Sequence, residues 1–195
     1  MKKVILSFAV LAFTLTACND KKQETTAPAT EEHAGHDHDD HTTASAAEKV
    51  TTVKESNVLQ STLDAYFLVK KALQEDNQAE AATASKTLVT NLNAVVTEDA
   101  KAKELVKELV ETATKIDVAD IKVQREEFED LTEDLVKLIN TVGTDRVVFE
   151  QYCPMYNNGE GGQWLSDVED LSNPLYGSSM LKCGANQNKI TFETK

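Results

Sequence analysis

The chain is poor in the residues that most often carry chemistry or break structure. Its 195 residues hold seven glycines, three prolines, three cysteines, three methionines, four histidines and one tryptophan. So few glycines and prolines argue against a fibrous or low-complexity chain, and three cysteines are too few for a small disulfide-dense scaffold. No Cys-x-x-Cys is present, so a thiol oxidoreductase lacks its signature. Basic residues are scarce as well: 20 Lys and Arg stand against 33 Asp and Glu, a formal charge of −13. Binding phosphate backbones needs a basic face, so nucleic acid is disfavoured as a partner. The glycine-bearing loop Asn157–Gly162 lacks the lysine of a phosphate cradle. No catalytic signature appears, and the expectation is a protein that is not an enzyme.

What is present begins at the N-terminus. Lys2 and Lys3 precede an apolar run from Val4 to Leu15. That run is shorter than the ~20 residues a permanent membrane helix needs, and it suits an export signal. It ends in Leu15-Thr16-Ala17-Cys18, which resembles a bacterial lipobox. The resemblance implies cleavage before Cys18 and lipid on that cysteine, so that residues 1–17 are a lipoprotein signal peptide. The expected location is the cell envelope, with the chain lipid-anchored as a periplasmic or outer-membrane lipoprotein.

Residues 18–55 then read as a tether. Thr, Ala, Glu, Asp, Lys and His dominate, and almost no large apolar side chain is available to offset ordering entropy. All four histidines fall here, as His33, His36, His38 and His41 among acids. Such a cluster can gather Cu(II), Zn(II) or Ni(II), weakly, because ordering a flexible segment costs entropy. A solvated spacer is the alternative. With every histidine in the tether, residues 56–195 have none for a His-based triad or a His-ligated zinc.

Residues 56–195 read as the folded domain. Four stretches recur at helical spacing: Leu59, Leu63, Tyr66, Phe67 and Leu73; Leu88, Leu92, Val95 and Val96; Leu105, Val106, Leu109, Val110 and Ala113; and Ile121, Phe128, Leu131, Leu135, Leu138 and Ile139. Asn77 with Glu80 resembles a capping box, Thr97 and Asp117 can cap the third and fourth helices, and Gly143 ends the last. Short connections place successive helices antiparallel, so the expected fold is all-α, an up-down four-helix bundle. A turn-rich C-terminal segment follows, in which Arg146–Tyr152 and Lys189–Thr194 can pair as two short strands.

That segment concentrates the sulfur. Cys153-x-Met155 and Met180-x-x-Cys183 set one methionine beside each cysteine. Two thiolates with two thioethers form a soft set of the kind that selects Cu(I) or Ag(I). The competing reading is a structural disulfide between Cys153 and Cys183, which in the chain-entropy account contributes roughly 3–4 kcal/mol for a loop of about 30 residues. The pairing of Met with Cys at both ends favours metal; spacing alone leaves both open. Tyr152, Tyr156, Trp164 and Tyr176 are read as packing this segment onto the helices.

Several strings resemble a bacterial periplasmic family, domain of unknown function 3347. They are Tyr66-Phe67-x-x-Lys70-x-Ala-Leu73, Gln124-Arg125-x-x-Phe128, Tyr152-Cys-Pro-Met155, Trp164-Leu-Ser166, Asn173-Pro-Leu-Tyr-Gly177 and Met180-Leu-x-Cys-Gly184, across residues 56–187. Members of that family occur alone or fused to periplasmic adaptors of copper and silver efflux pumps. The resemblance therefore implies heavy-metal handling, with such an adaptor as partner. The Cys-Pro-Met string is also similar to short heavy-metal-binding modules, although Tyr156 stands where those continue with histidine. Two functions are expected on these grounds. One is a copper- or silver-binding protein that buffers metal or delivers it to an efflux system; the other is an interaction module stapled by a disulfide.

Overall fold

The computed structural model describes residues 49–194. The segment expected to be a signal peptide, residues 1–17, the expected lipidation residue Cys18 and the histidines 33, 36, 38 and 41 lie outside the described residues. In chain order the described elements are β1 (Lys49–Lys54), α1 (Gln60–Gln74), α2 (Gln78–Asn93), α3 (Ala100–Val118), α4 (Ile121–Val142), β2 (Val148–Cys153), β3 (Gly162–Ser166) and β4 (Ala185–Glu193).

The four helices follow the apolar periodicity. Each packs against the next in sequence, and their inward faces bury Leu63, Leu73, Leu88, Leu109, Leu131 and Leu135 in one core. Where the chain turns, side chains take up orphan helix-end groups. The Asn77 side chain accepts the Glu80 N–H at 3.1 Å, as expected. Gly143 ends α4 at φ +89°, and a Cβ there would stand 2.2 Å from the Lys54 carbonyl oxygen, so this position requires glycine. Two caps differ from expectation. Asp99, not Thr97, caps α3 by accepting the Ala102 N–H at 2.8 Å. Asp120, not Asp117, caps α4 by accepting from Lys122 and Val123, while Asp117 sits in the last turn of α3 and pairs with Lys86. Val96, grouped with the second helix by spacing, lies past its end and is exposed.

The all-α expectation is corrected. The molecule is α+β: four helices and a four-stranded mixed sheet in the order β1-β4-β2-β3. β2 pairs antiparallel with both β3 and β4, and the pairing expected between the last two extended segments is present as β2–β4. β1 pairs with β4 in parallel, Lys49 opposite Asn188 and Lys54 opposite Glu193. β1 comes from the end of the segment read as tether, residues 18–55, so the folded body takes in Lys49–Lys54. At a sheet edge four of its six residues are exposed and two half-buried, which is why they show no core-like hydrophobicity. β3 begins with a glycine and spans only Gly162–Ser166, too short for alternation to declare itself.

Helices and sheet share the core through Tyr66 of α1. Its ring stacks on Phe128 of α4 at 4.7 Å, and its hydroxyl accepts the β3 Leu165 N–H at 2.9 Å.

Candidate functional site at the Cys153–Cys183 staple

β2 ends at Cys153 and β4 begins just after Cys183. Antiparallel pairing of Tyr152 with Ala185 brings the two cysteines to the same end of the sheet. Their Cα atoms are 5.8 Å apart and their sulfurs are joined as a disulfide, within the usual bridging range. Cys153 is completely buried and Cys183 half-buried. The turns on either side are tied down by hydrogen bonds. Cys183 N–H donates to the Met180 carbonyl at 3.0 Å. The Asn173 side-chain amide donates to the Cys183 carbonyl at 2.9 Å, and its oxygen accepts from Leu175 and Tyr176 N–H. Gly184 has φ +145°, and a Cβ there would stand 2.9 Å from both the Trp164 ring and the Tyr152 carbonyl oxygen.

Of the four sulfur positions read as a soft-metal set, Cys153 and Cys183 are thus brought together as a bonded pair. Met155 points toward solvent, 55% exposed, and Met180 is half-buried. Among the described residues no group of three or more His, Cys, Asp or Glu side chains converges. Likewise, none of the described helices is long and apolar enough to cross a membrane.

Beside the staple runs an open groove of about 340 Å³, between the first turns of α4 and the loops after Cys153 and Asn173. Tyr156 and Tyr176 meet edge to face in it, ring centres 5.8 Å apart, and the Tyr176 hydroxyl donates to the Met155 carbonyl at 2.7 Å. Burial, with Glu126 and Glu129 nearby, pushes the Tyr156 phenol up to about 12. Arg125 forms the groove's back wall. Its guanidinium donates to the carbonyls of Pro174 and Leu73, both at 2.9 Å, and to Asp76. Asp76 also accepts from Ser178, and these bonds from Ser178 and Arg125 hold its carboxyl below the ordinary range. Most of the string residues singled out in the sequence are therefore consumed by folding. Gln124 donates to the carbonyls of Gln78 and Ile116, and Trp164 donates to Gln151 at 2.7 Å.

One polar pair escaped the sequence reading. Lys70, on the buried side of α1, donates to Ser166 Oγ at 2.8 Å and to Asp167 at 3.3 Å, and its ammonium lies 5.4 Å from the Phe67 ring centre. Burial lowers its pKa, and Asp167 pulls it back up. Paired Ser and Lys can serve as nucleophile and base, but Ser166 is fully buried and offers no surface to a substrate in this state. Lys70 instead ties α1 to the loop after β3. Nothing in helical periodicity marks a lysine as interior.

Residues 62–146 match the model of a family described as "Protein of unknown function (DUF3347)". That part of the chain is similar to this family. The DUF3347 match runs from the first turn of α1 through α4 and stops before β2, so both cysteine strings lie beyond it. No curated protein and no solved structure matches the chain.

Proposed function

We propose that this chain is a non-catalytic interaction module of the cell envelope, exported by its N-terminal signal, held there by lipid on Cys18 and stapled by a disulfide. The observation that carries this reading is the bond between Cys153 and Cys183. Such bonds persist in oxidising compartments, in agreement with the export signal. A periplasmic adaptor of a copper or silver efflux pump is the partner that the family resemblance suggests. The test is a thiol count on protein purified from the envelope and denatured without reductant. No free thiol before reduction and two after it are expected; two free thiols before reduction overturn the reading.

A second reading is soft-metal capture by the reduced form. It is favoured by the exposure of Met155 and by the turn that carries Met180 against Cys183. Reduction would free two thiolates with two thioethers close in sequence, a set for Cu(I) or Ag(I). The histidines 33, 36, 38 and 41 would collect Cu(II), Zn(II) or Ni(II). Titration of Cu(I) against a chromophoric competitor tests it: binding by the reduced protein and none at this site in the oxidised one.

A further inference from the structure

The geometry points to the outer edge of β1 as a docking site for an extended acidic segment of a partner protein, which would add as a fifth strand. This rests on the interaction-module reading and names the surface that serves it. Among the described residues β1 lies at one end of the sheet and pairs only with β4. Residues 49–53 make no other backbone–backbone hydrogen bond among the described residues, so half of their N–H and C=O groups face outward with no backbone partner among those residues. The opposite edge strand, β3, is covered: it packs on α4, and Trp164, Leu165 and Ser166 are fully buried.

Strand addition needs an open edge for affinity and recesses beside it for alternate side chains. Both occur here. A groove of about 470 Å³ borders Thr52, Val53 and Lys54 against Asn140, Thr141 and Glu193. A second, of about 360 Å³, continues past Lys54 to Asn57. Val50 stands 60% exposed on the same strand.

Charge selects the occupant. β1 begins with Lys49 and ends with Lys54; both are exposed, and neither takes part in an ion pair among the described residues. A second copy pairing about a twofold axis must run antiparallel. In the fully overlapped register Lys49 would then face Lys54, and like charges directly opposite are destabilising. An extended segment with acids at both ends meets Lys49 with attraction, and meets Lys54 with an attraction reduced by Glu193 opposite it in β4 and by neighbouring Glu55. In that register the lysines disfavour a second copy and favour an acidic strand.

The experiment uses the isotope-labelled full chain in detergent and two peptide probes, acetyl-Glu-Val-Thr-Val-Thr-Glu-amide and its lysine-ended counterpart. The acidic peptide is expected to shift the amides of residues 49–53. The double variant Lys49→Glu/Lys54→Glu is expected to bind it about tenfold more weakly and the lysine-ended peptide correspondingly better. Because both lysines are exposed, the exchange of preference reads charge and not unfolding. Equal binding of both peptides by both proteins overturns the proposal, as do shifts confined to residues outside 49–57 or self-association of the wild type through β1. None of these outcomes alters the thiol count, which tests the module reading separately.

Discussion

Tyr66 and Phe128 stack ring on ring across α1 and α4, 4.7 Å apart and 21° from parallel, and the Tyr66 hydroxyl ties that stack to the sheet. It accepts the Leu165 N–H and shares a 2.7 Å hydrogen bond with Thr132, both fully buried. Burial accordingly pushes its phenol far above the ordinary range. Tyr66→Phe keeps the stack and strands the Leu165 N–H, so the expected loss is about 1–3 kcal/mol. Urea unfolding should show a lower midpoint with an unchanged slope.

The staple makes a separate forecast. Cys153→Ala/Cys183→Ala should lower the stability of the oxidised protein by about 2–5 kcal/mol. Met155→Leu should be nearly silent, since that side chain is more than half exposed. Wild type in reductant should approach the double variant. A double variant as stable as the oxidised wild type would contradict a structural bond.

Gly177 is the tightest point of the Arg125 cradle. Its φ is +56°, and a Cβ there would lie 2.2 Å from Asp76 Oδ1 and 2.3 Å from the Arg125 guanidinium. An unstrained glycine-to-alanine change stabilises by about 0.4–1 kcal/mol, whereas Gly177→Ala should destabilise by more than that amount. In thermal unfolding, pairing it with Asp76→Ala should give a smaller loss than the two single losses added, because both break the same contact.

Acid should act through Asp76. Its carboxyl titrates lower in the folded state than in the unfolded chain, because Ser178 and Arg125 bond the ionised form. The stabilisation is complete above the ordinary carboxylate range and fades as pH falls through the depressed folded value. Asp76→Asn should be less stable at neutral pH and lose less on acidification below about pH 4. Glu129 runs the other way: burial first of all raises its carboxyl. Glu129→Gln should relieve a cost borne above the ordinary carboxylate range, which thermal melts at pH 7 and pH 4 would register.

Deleting residues 33–41 should leave the melting temperature unchanged within error and reduce the number of Cu(II) or Ni(II) ions bound at neutral pH. Scanning calorimetry of the metal-free protein measures the first, and isothermal titration with either ion the second. An unchanged metal count would remove the histidines as collectors.

The sequence by itself determined the four helices, because a 3.6-residue apolar period over fifteen or more residues has no other stable reading. It also determined the Asn77 cap, the Gly143 stop and the pairing segments of β2 and β4, whose residue types carry local conformational preference. Other choices were made by tertiary structure. Thr97 and Asp99, or Asp117 and Asp120, are equally able caps, and only the packed helix register picks between them. β1 is strand because β4 offers it a partner 139 positions further along the chain, from Lys49 to Asn188, a pairing that no local pattern encodes. Lys70 is interior because the loop after β3 closes over it. The two cysteines, legible as either ligands or a bridge from spacing, are a bridge in the fold because β2 and β4 pair antiparallel and bring their ends to 5.8 Å. Separation along a chain carries no distance in space until the sheet is built.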